Sequence, residues 1–309
     1  MWYVFPSVFL GWSLGANDAA NVFGPTVASG LIPHRKAMLL GAIFVVLGAV
    51  VGGSHCLINV SQISTGIALD SAVAILSAAL TVTVMTLLKF PVSTSQAVFG
   101  GIVGVNIHRF GFSNVNWAPM AKFVIVWVLT PIGAMIISFL LYKLGSTLFR
   151  RIKSIQVQDS FVKLGSWIAG LYGSYALGAN NVANVTGALV GSLFGVFEAA
   201  LLGGICIGLG MITFSKRVIM TVGKSIIALD HFSAMIAIFA HSLTVWVYSL
   251  VGIPVSSSQA IVGAVIGAGY AKGVKLSNIK MILNIVLAWV ETPFVSATIS
   301  YLLIRGIEL

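Results

Sequence analysis

The sequence predicts an all-α polytopic membrane protein of about 10–12 membrane segments, arranged as two inverted-topology repeats with broken helices. Three observations carry this. Of the 309 residues, 58% are hydrophobic and 8% charged, with a mean hydropathy of +1.05, too little polar surface to coat a soluble globule of that length. Charge-free runs over 37–69, 164–197 and 231–271 each exceed the roughly 20 residues that cross a bilayer core, and the longest holds two crossings. Finally, two polar cassettes occur twice in the same order. GANDAAN from Gly15 returns as GANNVAN from Gly178, and PVSTSQA from Pro91 returns as PVSSSQA from Pro254, both 163 residues on. Flanking matches (LLGAI at Leu39 with LLGGI at Leu201, IALD at Ile67 and Ile227, WVLTP at Trp127 with WVETP at Trp289) extend the duplication.

Taken in order, the first segment, Trp2 to Gly30, is long enough to span. Gly15, Asn17-Asp18 and Gly24-Pro25 predict two half-helices there. Because it carries a cassette and no basic n-region, it reads as a working segment and not as a signal peptide. Ordinary spans follow at 37–57 and 66–88. Pro91 then opens Ser93 to Arg109, and Ala118 to Leu148 is expected to be interrupted at Thr130-Pro131. The hydrophilic stretch Arg150 to Lys163 reads as a linker, dividing the chain into a first repeat (1–149), the linker (150–163) and a second repeat (164–309) with a matching interruption at Thr292-Pro293. Five crossings per copy is an odd number, which forces the copies into opposite orientations. Gly48/Gly52, Gly204/Gly208 and Gly263/Gly267 read as helix-packing contacts.

The net charge of +10 is read by position, since basic residues favour cytoplasmic loops. With the linker cytoplasmic and the termini outside, Arg35, Lys36, Lys89, Arg150, Arg151, Lys153, Lys163, Lys216, Arg217, Lys224, Lys272, Lys275 and Lys280 fall inside. Arg109 and Arg305 fall outside, and Lys122 and Lys143 lie near helix ends. This is an orientation signal for a protein of the plasma or inner membrane and not a nucleic-acid footprint. Cys56 and Cys206 have no metal-ligand spacing and read as packing residues. His34, His55, His108, His231 and His241 occupy no repeat-equivalent positions and read as loop or packing residues. No nucleophile–base pair is visible, so an enzyme is not expected.

Polar groups at membrane depth are expensive and mark function. Helix N-termini with free N–H groups suit an anion, and carbonyl, amide and carboxylate oxygens suit a hard cation such as sodium. Ser93, Thr94 and Ser95, like Ser256, Ser257 and Ser258, sit where N-caps and hydroxyl donors are expected. Asp18 is the one fixed carboxylate of the cassettes, so donors outnumber negative charge and an anion is the expected substrate. Asp70, Asp230 and Glu291 stand as further acidic candidates, the first two as interfacial caps.

The tandem GAND-x-AN and PVS-[ST] cassettes, with GGICIGL from Gly203, KRV from Lys216 and TVGK from Thr221, resemble the inorganic phosphate transporter (PiT) family over nearly the whole chain. The resemblance implies an alternating-access symporter of inorganic phosphate, driven by sodium or protons, in a lipid-embedded inverted-repeat fold that associates as a homodimer. It implies phosphate contacts at Asp18, Asn21, Thr94, Ser95, Asn184, Ser257 and Ser258. Cation contacts would fall at Asn17, Asp18, Ser93, Gln96, Asn181, Ser256 and Gln259. Three departures bear on coupling: Asn181 replaces the second motif's aspartate, Val45 stands where relatives carry a glutamate, and an acidic residue before the second PVS motif is missing. A proton carrier needs a titratable group, so sodium is the expected driving ion. A sulfate permease of the same fold is the nearest alternative, and a passive anion channel a more distant one.

Overall fold

Within a bilayer no water satisfies backbone N–H and C=O groups, so an apolar chain must pair them segment by segment in helices. The computed structural model does so, and describes residues 2–87, 92–222, 229–274 and 279–309; Lys89, Pro91, Lys224 and Lys275 lie outside them. Its helices are α1 (Phe5–Ala28), α2 (His34–Gly52), α3 (Ser54–Ile63), α4 (Ala68–Leu87), α5 (Thr94–Phe110), α6 (Trp117–Phe149), α7 (Ile155–Thr186), α8 (Val196–Val222), α9 (His231–Val251), α10 (Ser257–Lys272) and α11 (Ile279–Ile307). Helices α2, α4, α6, α8, α9 and α11 are long and apolar enough to cross a membrane. The cassettes sit elsewhere, on α1 and α7 and at the starts of α5 and α10. At 17 and 16 residues, α5 and α10 reach only about 25 Å, short of a core of about 30 Å.

Packing exchanges partners between the two halves of the chain. Helix α1 lies on α8 and α7 on α2, while α5 lies on α11 and α10 on α6. Glycine makes these approaches possible: a methyl at Gly15 would overlap the Ile207 carbonyl, and one at Gly178 the Val45 carbonyl. At Gly100 and Gly263 it would overlap the carbonyls of Pro293 and Pro131. Gly100→Ala is therefore expected to lower the thermal midpoint of the purified protein, overpacking costing about 1–3 kcal/mol. Gly133 faces open space, so Gly133→Ala should leave the midpoint unchanged or slightly raise it. Equal midpoints for the two variants would contradict this packing.

Several expected breaks are not there. Helix α1 runs unbroken through Gly15, Asn17 and Asp18, with Pro25 in its last turn, and α7 runs through Gly178 and the Asn180-Asn181 pair. The glycines serve close contact and not a break, so α1 and α7 offer no half-helix N-termini. Helices α6 and α11 also continue through Pro131 and Pro293. In the turn before each proline, the Thr130 hydroxyl donates to the Val126 carbonyl at 2.7 Å and the Thr292 hydroxyl to the Ala288 carbonyl at 2.6 Å. Such side-chain bonds help a helix absorb a proline in place. The linker is shorter than expected: α7 begins at Ile155, where Val162 is buried and Phe161 packs on Phe149.

Ion pairs tie the far end of each short cassette helix to the preceding span. Arg109 at the end of α5 grips Asp70 of α4 through Nε at 2.9 Å and Nη2 at 2.6 Å, and also reaches Glu308 at 2.6 Å. Lys272 at the end of α10 pairs with Asp230, which caps α9 through the Ser233 amide at 2.9 Å. Arg109 and Lys272 are themselves 163 residues apart. Burial raises the Asp230 carboxyl, but the bonds from Lys272 and Ser233 outweigh it and leave the group below the ordinary carboxylate range. Neither pair touches the cassettes, and Glu291 is exposed on α11; the three acidic candidates are outside the site.

Candidate ion-binding site

The cassettes meet. Asn21 on α1 directs its Nδ2 to Asp18 Oδ1 at 3.1 Å, to Ser257 Oγ at 3.3 Å and to Ser258 Oγ at 3.4 Å. On the other side Asn184 on α7 directs its Nδ2 to Asn181 Oδ1 at 2.8 Å and to Ser95 Oγ at 2.9 Å. The Asn21–Asp18 and Asn21–Ser258 bonds correspond to Asn184–Asn181 and Asn184–Ser95, the Asn21–Ser257 bond has no equivalent among the described residues, and each arrangement joins the first helix of one copy to the PVS cassette of the other. Asn sits three residues after Asp18 or Asn181, about one helical turn, so each pair shares a face of its helix. The halves are joined to one another where the Ser95 hydroxyl donates to the Val255 carbonyl at 2.9 Å.

Helices α5 and α10 start at this junction. Ser93 and Ser256 are their N-caps, accepting from the amides of Gln96 at 3.4 Å and Gln259 at 3.2 Å. With Thr94 and Ser257 in the first turn, two helix N-termini present amides and hydroxyls together, which is the donor arrangement an anion requires. Asp18, Asn21, Ser93, Thr94, Ser95, Gln96, Asn181, Asn184, Ser256, Ser257 and Gln259 are all buried, and Ser258 is half-buried.

Unsatisfied atoms mark where an ion fits. Gln96 Oε1 and Gln259 Oε1, at equivalent positions of the two copies, are buried without a partner, and so is Asn181 Nδ2. A buried polar atom without a bond costs about 1–3 kcal/mol. Amide carbonyl oxygens such as these two, like the Asp18 carboxylate, are the oxygen type a hard cation takes.

Asn17, expected in the cation set, is half-buried on α1 and makes no side-chain hydrogen bond among the described residues. Its counterpart Asn180 is structural. Asn180 Oδ1 accepts from the Val255 amide at 2.8 Å, and its Nδ2 donates to the Ile253 carbonyl at 3.2 Å, clamping the loop that delivers Ser256. One residue was missed altogether. His241, expected as packing, is fully buried with Nε2 2.8 Å from Ser257 Oγ. Duplication does not mark it, because neither candidate counterpart, Ala78 nor Thr81, is a histidine; an ionisable side chain in the middle of an apolar span was the signal available.

A family model described as the phosphate transporter family matches residues 14–163 and 149–300. The chain belongs to the phosphate transporter family. A Thermococcus kodakarensis protein named as a candidate phosphate permease is 28% identical over 96% of this chain and 94% of its own length. The sulfate permease CysP of Bacillus subtilis is 30% identical over 96% of this chain and 85% of its own length. A solved structure described as the sodium-dependent phosphate transporter superposes with a TM-score of 0.85 at 26% identity, covering 98% of each chain. As a member of this transporter family the chain is an integral membrane protein and not an enzyme.

Proposed function

We propose that this family member is a secondary active transporter that imports inorganic phosphate by symport with sodium. The observation that carries it is the junction of two capped helix N-termini with two Asn–Ser pairs, one of which also holds a buried carboxylate. Thr94, Ser257 and Ser258, with the first-turn amides of α5 and α10, would donate to the tetrahedral anion, while Ser95, Asn21 and Asn184, whose hydrogens are engaged within the junction, would order those donors or turn to the anion when it binds. Asp18, Gln96 and Gln259, with Ser93, Ser256 and Asn181, would hold the cation. Asn17, half-buried on α1, would complete the cation set from the exposed side.

Coupling follows from charge. A carboxylate and an anion about 5 Å apart repel by ~3 kcal/mol at an effective dielectric of about 20, so an anion beside an uncompensated Asp18 is disfavoured. A sodium ion on Asp18 reverses that term, so each ion binds better when the other is present. Resemblance to the sodium-dependent structure supports the same ion pair. The partner exchange between halves supports an inverted-repeat plan with the site near the bilayer midplane and alternating access around it. In this plan the 150–154 connection is cytoplasmic and both termini are outside.

The second reading is a sulfate permease, which the CysP relative favours. Phosphate near neutral pH keeps a proton that it can donate to an acceptor, while sulfate has none, and a site that uses that donor can reject the analogue by about 10⁴-fold or more. Uptake of labelled phosphate into proteoliposomes under an imposed inward sodium gradient tests the proposal, with sulfate as competitor. Concentrative uptake that collapses without sodium and survives excess sulfate is expected. Uptake that follows membrane potential alone would mean a channel, and full block by sulfate would favour the second reading.

A further inference from the structure

Two ionisable residues break the correspondence between the halves. Asp18 stands against Asn181, 163 residues on, and His241 stands against Ala78 by the offset of the PVS cassettes or Thr81 by that of the IALD match, neither of them ionisable. Both departures lie on one continuous hydrogen-bonded path: Asp18 Oδ1 accepts from Asn21 Nδ2 at 3.1 Å, Asn21 Nδ2 reaches Ser257 Oγ at 3.3 Å, and Ser257 Oγ lies 2.8 Å from His241 Nε2. The opposite half has no such end point. There Thr94, the residue equivalent to Ser257, makes no side-chain hydrogen bond among the described residues, and its neighbour Ser95, which accepts from Asn184, spends its hydroxyl hydrogen on the Val255 carbonyl.

The hydrogen of Ser257 is therefore the open question, and His241 decides it. Asn21 must present its N–H side to a carboxylate, which accepts only; its second hydrogen has two serines in reach, and we assign it to the nearer, Ser257 Oγ at 3.3 Å against Ser258 Oγ at 3.4 Å. The imidazole is fully buried and its Nδ1 has no partner. Among backbone groups a buried N–H without an acceptor is rarer than a C=O without a donor; applying the same preference to the imidazole, we assign its proton to Nε2, the nitrogen that faces Ser257. The ring then donates to Ser257, and with Asn21 fills both lone pairs of its oxygen. The Ser257 O–H is left with no role except to donate into the junction where α5 and α10 begin.

We propose that His241 is a positioning residue that holds the Ser257 hydroxyl as a hydrogen-bond donor to the bound oxyanion. It rests on the reading of this junction as an oxyanion site. Without an imidazole, Ser257 is free to turn its hydrogen away, and the anion loses a donor even though every cassette residue is present. Thr94, the counterpart of Ser257, has no histidine behind it, so the two halves of the site hold the anion by different means.

A double-mutant cycle in purified protein separates this from a packing role. Equilibrium binding of labelled phosphate at saturating sodium is read for the wild type, His241→Leu, His241→Gln, Ser257→Ala and the double variant His241→Leu/Ser257→Ala, with thermal midpoints alongside. His241→Leu and Ser257→Ala should each weaken binding about tenfold, and the double variant no further than either alone. His241→Gln, which keeps an N–H donor, should stay within about threefold of wild type. An additive, roughly hundredfold loss in the double variant, or a Gln variant as weak as the Leu variant, overturns the proposal. Should His241→Leu not fold, nitrogen chemical shifts of labelled His241 in wild-type protein decide: a proton on Nε2 supports the proposal and one on Nδ1 overturns it. If the wild type binds sulfate and not phosphate, the substrate reading fails while the same cycle, run with sulfate, still judges His241. Binding of neither anion ends both.

Discussion

Asp18→Asn is expected to cut sodium-driven phosphate uptake about 100-fold or more while leaving expression and thermal midpoint close to wild type, because charge-assisted contacts contribute about 1.5–3 kcal/mol each and hard cations favour carboxylate oxygen. The substitution is nearly isosteric, and an amide oxygen can still accept the bond that Asn21 now makes to Oδ1 at 3.1 Å. Packing is preserved and only the charge is removed. Asp18 is the one carboxylate in the four cassettes, so no neighbour there replaces it. Residual uptake should no longer respond to sodium. Wild-type sodium dependence in this variant would remove Asp18 from the cation site and with it the account of coupling given above.

Loss of hydroxyls should be equally severe from either half. Thr94→Val with Ser95→Ala removes a donor at the start of α5 together with the Ser95 bond to the Val255 carbonyl that joins the halves, and Ser257→Ala with Ser258→Ala removes two donors at the start of α10. At about 1.5–3 kcal/mol per bond to a charged oxygen, each pair should weaken phosphate binding about 100-fold or more. Ser154→Ala, at an exposed position before α7, should change nothing. A large effect from one half and none from the other would place the anion against a single cassette.

Much of the site was legible because duplication singles out residues that packing alone does not require. The Asn three residues after Asp18 and the Asn three after Asn181 share a face with it by helical spacing, and the structure brings both to the PVS serines as expected. The helix breaks were not legible. A glycine inside a membrane helix either loosens the backbone or admits a neighbour, and only the presence of Ile207 against Gly15, or Val45 against Gly178, decides which. Adjacent asparagines posed a similar difficulty: Asn180 and Asn181 differ by about 100° around α7, and the sequence does not say which points at the site. The structure assigns Asn180 to the Val255 loop and Asn181 to Asn184. His241 escaped for the opposite reason, since residues without a repeat partner are invisible to a method that looks for repeats.

The central claim is that both copies build one anion site between them. Equilibrium dialysis of labelled phosphate against purified protein at saturating sodium measures this directly, as moles bound per mole of chain. One phosphate per chain is predicted for the wild type, with binding lost in the Thr94→Val/Ser95→Ala variant and lost again in the Ser257→Ala/Ser258→Ala variant. Two phosphates per chain in the wild type, each double variant removing only one, would show two independent sites and contradict the account.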